Sequence, residues 1–150
     1  MIFRLAKTLG IAALLVTAIA VFAFGGSGAA TGPAVTPVAS SACGPLQFGG
    51  QGTPEAIVVS DLPLQGDSKQ RSAQMNDAIR LVLEGANWQA GGVKVGFQAC
   101  DDSSAQTGLW TKAQCQANAD AYAANAAVLA VIGTYNSGCA EAMIPILSRA

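Results

Sequence analysis

The alternation of short apolar runs, polar loops and helix-like segments most constrains the fold of this chain. The apolar run at residues 128–132 leads into a polar loop at 133–138, and a helix-like segment follows directly. The same order begins twice upstream, at Ala56 and at Val93. Parallel strands need long crossover connections, which helices usually supply. The sequence therefore predicts an α/β fold with a three-layer, doubly wound parallel sheet.

Each of the three units predicts specific elements. Periodicity places strands and helices in alternation, with strands at 56–60, 93–97 and 128–132 and the first two helices at about 72–86 and 111–124. Thr111 is the expected N-cap of the second helix. One face of the first helix carries its apolar side chains, namely Met75, Ile79, Val82, Leu83 and Ala86. An amphipathic helix turns such a face toward the core.

The loops that follow the three strands are expected along one edge of the sheet, because the strands are parallel. They comprise residues 62–66, 101–106 and 134–138. Open α/β sheets bind ligands at this edge. The last loop places Asn136 and Ser137 at a helix start, where free backbone N–H groups hold a small anion. This pattern indicates binding rather than catalysis.

Four further residues in these loops are candidates for ligand contact. Gly138 and Cys139 continue the helix start after Ser137, and Tyr135 lies just before it. Gln65 lies in the turn that follows the first strand. All four would face the same ligand if the loops meet at the sheet edge.

Structural roles are the alternative for several loop residues. Ser137 and Asn136 have the side chains that commonly cap a helix. Gly66 suits a turn that needs a positive φ. Asp101 and Asp102 resemble an acid–base or metal pair, but adjacent acids at a strand end more often cap the loop and stay solvated.

The amino-terminal sequence indicates export. A stretch without charge at residues 9–24 follows two basic residues, and small residues at 28–30 suit a cleavage site. Residues 1–30 are therefore predicted to be a signal peptide; a retained membrane anchor is the alternative, although the stretch is short for a spanning helix. Residues 31–55, rich in small residues and Pro, are expected to form a flexible linker or extension. The expected location is periplasmic or otherwise extracytoplasmic.

Charge excludes one class of partner. After residue 30 the chain has six Lys or Arg residues against nine Asp or Glu residues. Nucleic-acid-binding domains usually carry a basic patch, so no nucleic-acid partner is expected.

The four cysteines, Cys43, Cys100, Cys115 and Cys139, all follow the proposed cleavage point. An exported chain with an even number of cysteines is expected to form disulfides, and three pairings are possible. Spacing favours Cys100 with Cys115, which leaves Cys43 with Cys139. As an alternative, Cys43 is a lipoprotein cysteine, although no convincing lipobox precedes it. No metal site is expected, since the chain has no histidine and no Cys-x-x-Cys pair.

Three motifs carry a resemblance to a known family. They are VVSDLPLQG at residues 58–66, GFQACDD at 96–102 and VIGTYNSGC at 131–139. Together they resemble the amino-terminal part of the branched-chain amino acid substrate-binding proteins of ABC importers, which have the type I periplasmic binding fold. The resemblance covers residues 56–150 and implies an incomplete first lobe of that ligand-binding domain.

The resemblance implies a function without catalysis or a cofactor. In the family, two lobes close on an amino acid or related solute, and the loop matching residues 136–138 holds its carboxylate, with Ser137 at the matching serine position. The implied partner is an ABC transporter permease. Membrane association is then expected only through the signal or anchor, or through the transporter. The family often joins the loops after its second and third strands by a disulfide.

Two other functions stay open. A ligand-sensing receptor domain of the same fold would bind a similar solute but signal through a membrane helix. An α/β enzyme is less well supported, because Ser137 does not lie in a G-x-S-x-G motif and the chain has no histidine to act as its base. Cys139 at a helix start has the position of an activated thiolate, but a disulfide is expected there in an oxidising compartment.

Overall fold

The computed structural model describes residues 35–150, so the predicted signal peptide lies outside the described residues. The described chain forms four strands and three α-helices, with a short 3-10 turn at Gly66–Ser68. In chain order the elements are β1 (Ala56–Leu62), α1 (Lys69–Gly85), β2 (Gln89–Ala90), β3 (Val93–Asp101), α2 (Lys112–Ala123), β4 (Val128–Gly133) and α3 (Ser137–Leu147).

The alternating elements predicted from periodicity are present. β1 and β3 extend past their predicted ends, and α1 begins at Lys69, ahead of the predicted start. The N-cap prediction for α2 is confirmed, because Thr111 Oγ1 accepts a hydrogen bond from the Gln114 N–H at 3.1 Å. This bond satisfies one of the N–H groups that a helix leaves free at its start.

The four strands form a mixed sheet in the order β2-β3-β1-β4. β1 runs parallel to both β3 and β4, as predicted, but β2 pairs with β3 antiparallel. The prediction of a purely parallel sheet is therefore wrong at this edge. The pair Gly91-Gly92 makes the hairpin possible, since both residues have positive φ, 58° and 86°. A two-residue hairpin turn of type I′ requires a positive φ at both residues.

Helices lie on both faces of the sheet. Successive residues of β1 point to opposite faces. Ile57 and Val59 pack in the core cluster with side chains of α2 and α3. On the other face, the Ser60 hydroxyl donates to Asn76 Oδ1 of α1 at 2.7 Å.

The α1 face of the sheet is less completely covered than the other. The most buried residues of α1 are polar, Ser72 and Asn76. Of the predicted apolar face, Val82 is 71% exposed and Met75 39% exposed. An apolar groove of about 310 Å³ lies between α1 and the sheet, where Ile132 of β4 forms part of its wall. The hydrophobic pattern of α1 is thus only partly buried in the described residues.

Residues 35–55 belong to the segment predicted to be a flexible linker or extension, and they pair with the edge of β3. The Gln47 N–H donates to Phe97 O at 2.8 Å, and the Phe97 N–H donates back to Gln47 O at 2.9 Å. Val38 is buried in the core cluster, where its N–H donates to Gln98 Oε1. The segment carries a disulfide as well, at Cys43. These contacts make it part of the folded unit.

The four cysteines form two disulfides, Cys43–Cys100 and Cys115–Cys139. The pairing predicted from spacing is therefore wrong, and the loop-to-loop link common in the resembling family does not form either. Cys43 lies opposite Cys100 because their backbones form an antiparallel bridge. Cys115 meets Cys139 because α2 and α3 pack against each other. The two bonds are consistent with an oxidising, extracytoplasmic location.

Three α-helices lie within residues 35–150. None of them is long and apolar enough to cross a membrane.

Candidate functional site

The carboxyl ends of β1, β3 and β4 lie side by side at one edge of the sheet. Leu62 of β1 is aligned with Asp101 of β3, and Asp61 is aligned with Gly133 of β4. The three loops that follow these strands therefore start together, as the parallel arrangement predicted.

The turn after β1 contacts the loop after β3 at two glycines, Gly66 and Gly108. Gly66 has φ +63°, and a Cβ atom there would lie 2.5 Å from the Gly108 carbonyl oxygen. A side chain at position 66 would collide with this backbone and would also strain its own. The turn-geometry interpretation of Gly66 is confirmed.

Asp101 joins these two loops through its carboxylate. Oδ1 accepts hydrogen bonds from the N–H groups of Leu64 at 2.9 Å and Ser103 at 2.8 Å. Oδ2 accepts from Gln65 Nε2 at 2.7 Å. Asp101 thus caps the loop, as predicted. Because the Gln65 amide is engaged with Asp101, the Gln65 side chain serves to hold the two loops together.

The loop after β4 presents the start of α3. Asn136 is the N-cap residue, but its side chain makes no capping hydrogen bond. The N–H groups of Cys139 and Ala140 donate to Asn136 O at 3.0 and 3.2 Å. Ser137 is exposed, and its hydroxyl has no partner within residues 35–150. The first N–H groups of the helix, at Ser137 and Gly138, are the ones that an α-helix leaves without an internal acceptor.

Sequence reasoning missed Arg71 as a neighbour of this loop. Arg71 lies in the first turns of α1, and its Nη1 donates to the Tyr135 hydroxyl at 3.2 Å. Both side chains are exposed. The contact places a permanent positive charge beside a loop predicted to bind an anion. No local pattern could reveal it, because 64 positions separate the two residues.

Trp110 packs against the beginning of α3. A Cβ atom at Gly138 would lie 2.4 Å from Trp110 Cη2. Gly138 is therefore needed to let the indole approach the helix. At the helix start, Gly138 therefore contacts Trp110, and the indole ring occupies the space beside the Gly138 Cα atom.

Cys139 is buried and lies on the inner side of the helix. Its sulfur is bonded to Cys115, and its N–H donates to Asn136 O. Neither group is free to contact a ligand at the sheet edge. Of the residues predicted for ligand contact, the structure leaves Ser137 and Tyr135 exposed at this loop.

A buried acidic residue lies beneath the edge. Asp61 Oδ1 accepts hydrogen bonds from the Tyr122 hydroxyl at 2.6 Å and from Asn118 Nδ2 at 2.7 Å. Burial raises the pKa of Asp61, although these two bonds oppose the shift, and nearby Asp101 raises it further. Burial and the Asp61 charge also raise the pKa of Tyr122.

Asp102 does not have the solvated, loop-capping position that the sequence predicted. Its side chain is 0% exposed, and neither carboxylate oxygen has a hydrogen-bond partner within the described residues. Burial, followed by the charges of Asp61 and Asp101, raises the pKa of Asp102 to about 7. The prediction failed because Asp102 follows Asp101 in the chain and points to the other face, under α2 and α3.

Comparison of the chain with protein-family models, with curated proteins and with solved structures finds no match.

Proposed function

We propose that this chain belongs to an extracytoplasmic solute-binding protein that holds the carboxylate of an amino acid or a related small acid at the start of α3. The observation that carries the proposal is the start of an eleven-residue helix at the carboxyl edge of the parallel strands, where Ser137 is exposed and its hydroxyl is unpaired within residues 35–150. Helix starts at such edges are well suited to anions.

The charges around the helix start support an anionic ligand. The helix macrodipole supplies partial positive charge at Ser137 and Gly138. Arg71 adds a full positive charge through its contact with Tyr135. Asp101, at the end of β3, is occupied by hydrogen bonds from Gln65 and from backbone N–H groups. A carboxylate would thus meet donors at this loop.

Binding explains this site better than catalysis. The chain has no histidine to act as a base for Ser137. Cys139 is held in a disulfide and cannot act as a thiolate nucleophile in that state. The resemblance of the three loop motifs to importer binding proteins supports an amino acid as the ligand and an ABC permease as the partner. The disulfides are in keeping with export.

Calorimetric titration of the full gene product tests the proposal. We expect leucine, isoleucine or valine to bind, and leucinamide, which lacks the carboxylate, to bind much more weakly. Ser137→Ala removes one hydrogen bond to a charged group and should weaken binding by about 1.5–3 kcal/mol. Arg71→Gln should also weaken it, because a charge near the carboxylate is lost.

Two matched variants separate this effect from general damage. Ser148 lies exposed at the other end of α3, so Ser148→Ala should leave the affinity unchanged. Arg80 lies on α1 and pairs with Asp77, so Arg80→Gln should also have no effect. Equal affinity of the parent and Ser137→Ala for every ligand that binds would remove Ser137 as a contact and contradict the proposed site.

A further inference from the structure

Asp102 is a buried polar group without a partner, and such groups are rare in folded proteins. Its side chain is fully buried, and both carboxylate oxygens lack a hydrogen-bond partner within residues 35–150. Leaving a buried carboxylate unpaired costs several kcal/mol in general. Because an unpaired buried carboxylate is costly, we expect another state of the protein to give Asp102 a partner.

The second disulfide lies directly beside this carboxylate. A carboxylate oxygen of Asp102 and the sulfurs of Cys115 and Cys139 all lie within 4.8 Å of one another, and all three residues are buried. The residues come from three separate elements: the loop after β3, α2 and α3. Only the tertiary fold therefore brings them together.

Asp61 provides a further oxygen on the same side. Its Oδ2 lies 3.7 Å from Cys139 Sγ. Its Oδ1 is fixed by the Tyr122 hydroxyl and by Asn118 Nδ2. Hydrogen bonds to one oxygen of a carboxylate orient the other oxygen for metal binding.

We propose that reduction of the Cys115–Cys139 disulfide converts this cluster into a binding site for a thiophilic divalent cation such as Zn²⁺. Cys115, Cys139 and Asp102 supply three ligand atoms, and Asp61 Oδ2 supplies the fourth. Two thiolates and two carboxylates form a ligand set that zinc accepts in tetrahedral geometry. The cation would give Asp102 the partner that it lacks in the oxidised protein.

Distances fit this assignment. Bond lengths of about 2.3 Å to sulfur and 2.0–2.2 Å to oxygen place tetrahedral ligand atoms about 3.3–3.8 Å apart. The Asp102 oxygen lies within 4.8 Å of both sulfurs, which are bonded to each other in the disulfide, and the Asp61 oxygen lies 3.7 Å from Cys139 Sγ. Reduction must also let the two sulfurs move apart to reach tetrahedral spacing.

The disulfide and the metal-bound form exclude each other. A dithiol reductant transfers two electrons and two protons to the disulfide, so that Cys115 and Cys139 become thiols while the dithiol closes to its own disulfide. Zn²⁺ then displaces both thiol protons, because thiolates are the ligands. Reoxidation would expel the cation.

The first test is metal binding by a chain that lacks the other disulfide. Cys43→Ser/Cys100→Ser leaves Cys115 and Cys139 as its only cysteines. This protein is reduced with dithiothreitol, freed of reductant by anaerobic gel filtration and titrated with Co²⁺ and then Zn²⁺. We expect about one equivalent to bind, with a cobalt–thiolate charge-transfer band that Zn²⁺ abolishes.

Matched variants of this reference chain identify the ligands. Asp102→Asn should weaken Zn²⁺ binding by at least about tenfold, because a charged ligand becomes neutral. Asp120 is exposed on α2, and Asp120→Asn should leave the affinity unchanged. Equal effects of the two substitutions, or the absence of a thiolate band in the reference chain, would overturn the proposal.

A second measurement uses the unmodified chain and does not depend on the folding of any variant. The fully reduced protein is treated with iodoacetamide with and without Zn²⁺, and labelled cysteines are located by peptide mass mapping. We expect Zn²⁺ to protect Cys115 and Cys139 while Cys43 and Cys100 react at the same rate in both samples. Equal protection of all four cysteines, or of none, would contradict the assigned site.

Discussion

Asp102 differs from the neighbouring acids at the sheet edge in what surrounds its carboxylate. Asp101 accepts hydrogen bonds from two loops, and Asp61 accepts them from Tyr122 and Asn118. Asp102 has none within the described residues and lies near both other carboxylates. Burial therefore raises its pKa to about 7, against an ordinary value of 3.8. The ionised form of this residue destabilises the oxidised fold.

This raised pKa predicts that stability falls as the pH rises from about 4 to about 7. In that range the folded protein keeps a proton on Asp102 that the unfolded chain has lost, and the slope of unfolding free energy with pH is therefore negative. Between pH 5 and pH 8 the contribution of Asp102 to this loss is roughly 2–3 kcal/mol. Urea unfolding of the oxidised protein across this pH range, with a chelator present, measures this loss of unfolding free energy.

Asp102→Asn should remove that part of the pH dependence, because an amide does not titrate. The smaller contribution of Asp61, whose pKa burial also raises, should remain. Asp120→Asn, at an exposed position on α2, is the control and should keep the parent's profile. A profile for Asp102→Asn as steep as the parent's would show that Asp102 ionises normally.

At the scale of the elements, close contacts between loops fix how the strand ends are connected. The turn after β1 can approach the loop after β3 only because Gly66 and Gly108 carry no side chains. Gly133 makes a similar approach at the end of β4, where a Cβ atom would lie 2.5 Å from Asp61 O. The candidate site thus depends on backbone contacts as much as on side chains.

Gly66→Ala should destabilise the protein by about 2 kcal/mol or more, because the new side chain meets the Gly108 backbone and φ is +63°. Gly85, the last residue of α1, is the matched control, since a Cβ atom there would have no neighbour within 4 Å. Gly85→Ala should be neutral or stabilising by up to about 1 kcal/mol. Thermal unfolding compares the two, and similar midpoints would contradict the loop contact.

At the scale of the whole molecule, the two faces of the sheet are covered to different extents. The face toward α2 and α3 also receives Val38 and carries both disulfides, and its core side chains are almost fully buried. The face toward α1 retains an open apolar groove. Most of the hydrophobic stabilisation within the described residues therefore comes from the first face.

Two valines provide a direct comparison of these faces. Val59 is 0% exposed among α2 and α3, whereas Val82 of α1 is 71% exposed. Val59→Ala should lower the unfolding free energy by about 2 kcal/mol, because buried methyl groups are lost and a cavity remains. Val82→Ala should change it by less than about 0.5 kcal/mol. Equal losses in chemical denaturation would mean that the α1 face is covered in solution.

The sequence by itself determined the alternation of elements and the position of the loops. Hydrophobic periodicity is local, and it placed β1, β3, β4 and the three helices. The hydroxyl of Thr111 and the backbone freedom of Gly66 are local properties too, so their roles could be predicted. The antiparallel β2 was missed although Gly91-Gly92 is a hairpin signal, because a two-residue strand has no period to detect.

Only the tertiary structure decided which distant residues meet. Disulfide pairing depends on the antiparallel approach of residues 35–55 to β3 and on the packing of α2 against α3. Neither contact can be predicted from the spacing of the cysteines along the chain. The same holds for the contact of Arg71 with Tyr135 and for the burial of Asp102 beside Cys115 and Cys139. These juxtapositions are non-local. A local pattern specifies an element and its faces, whereas the packing of whole elements determines which side chains share a site.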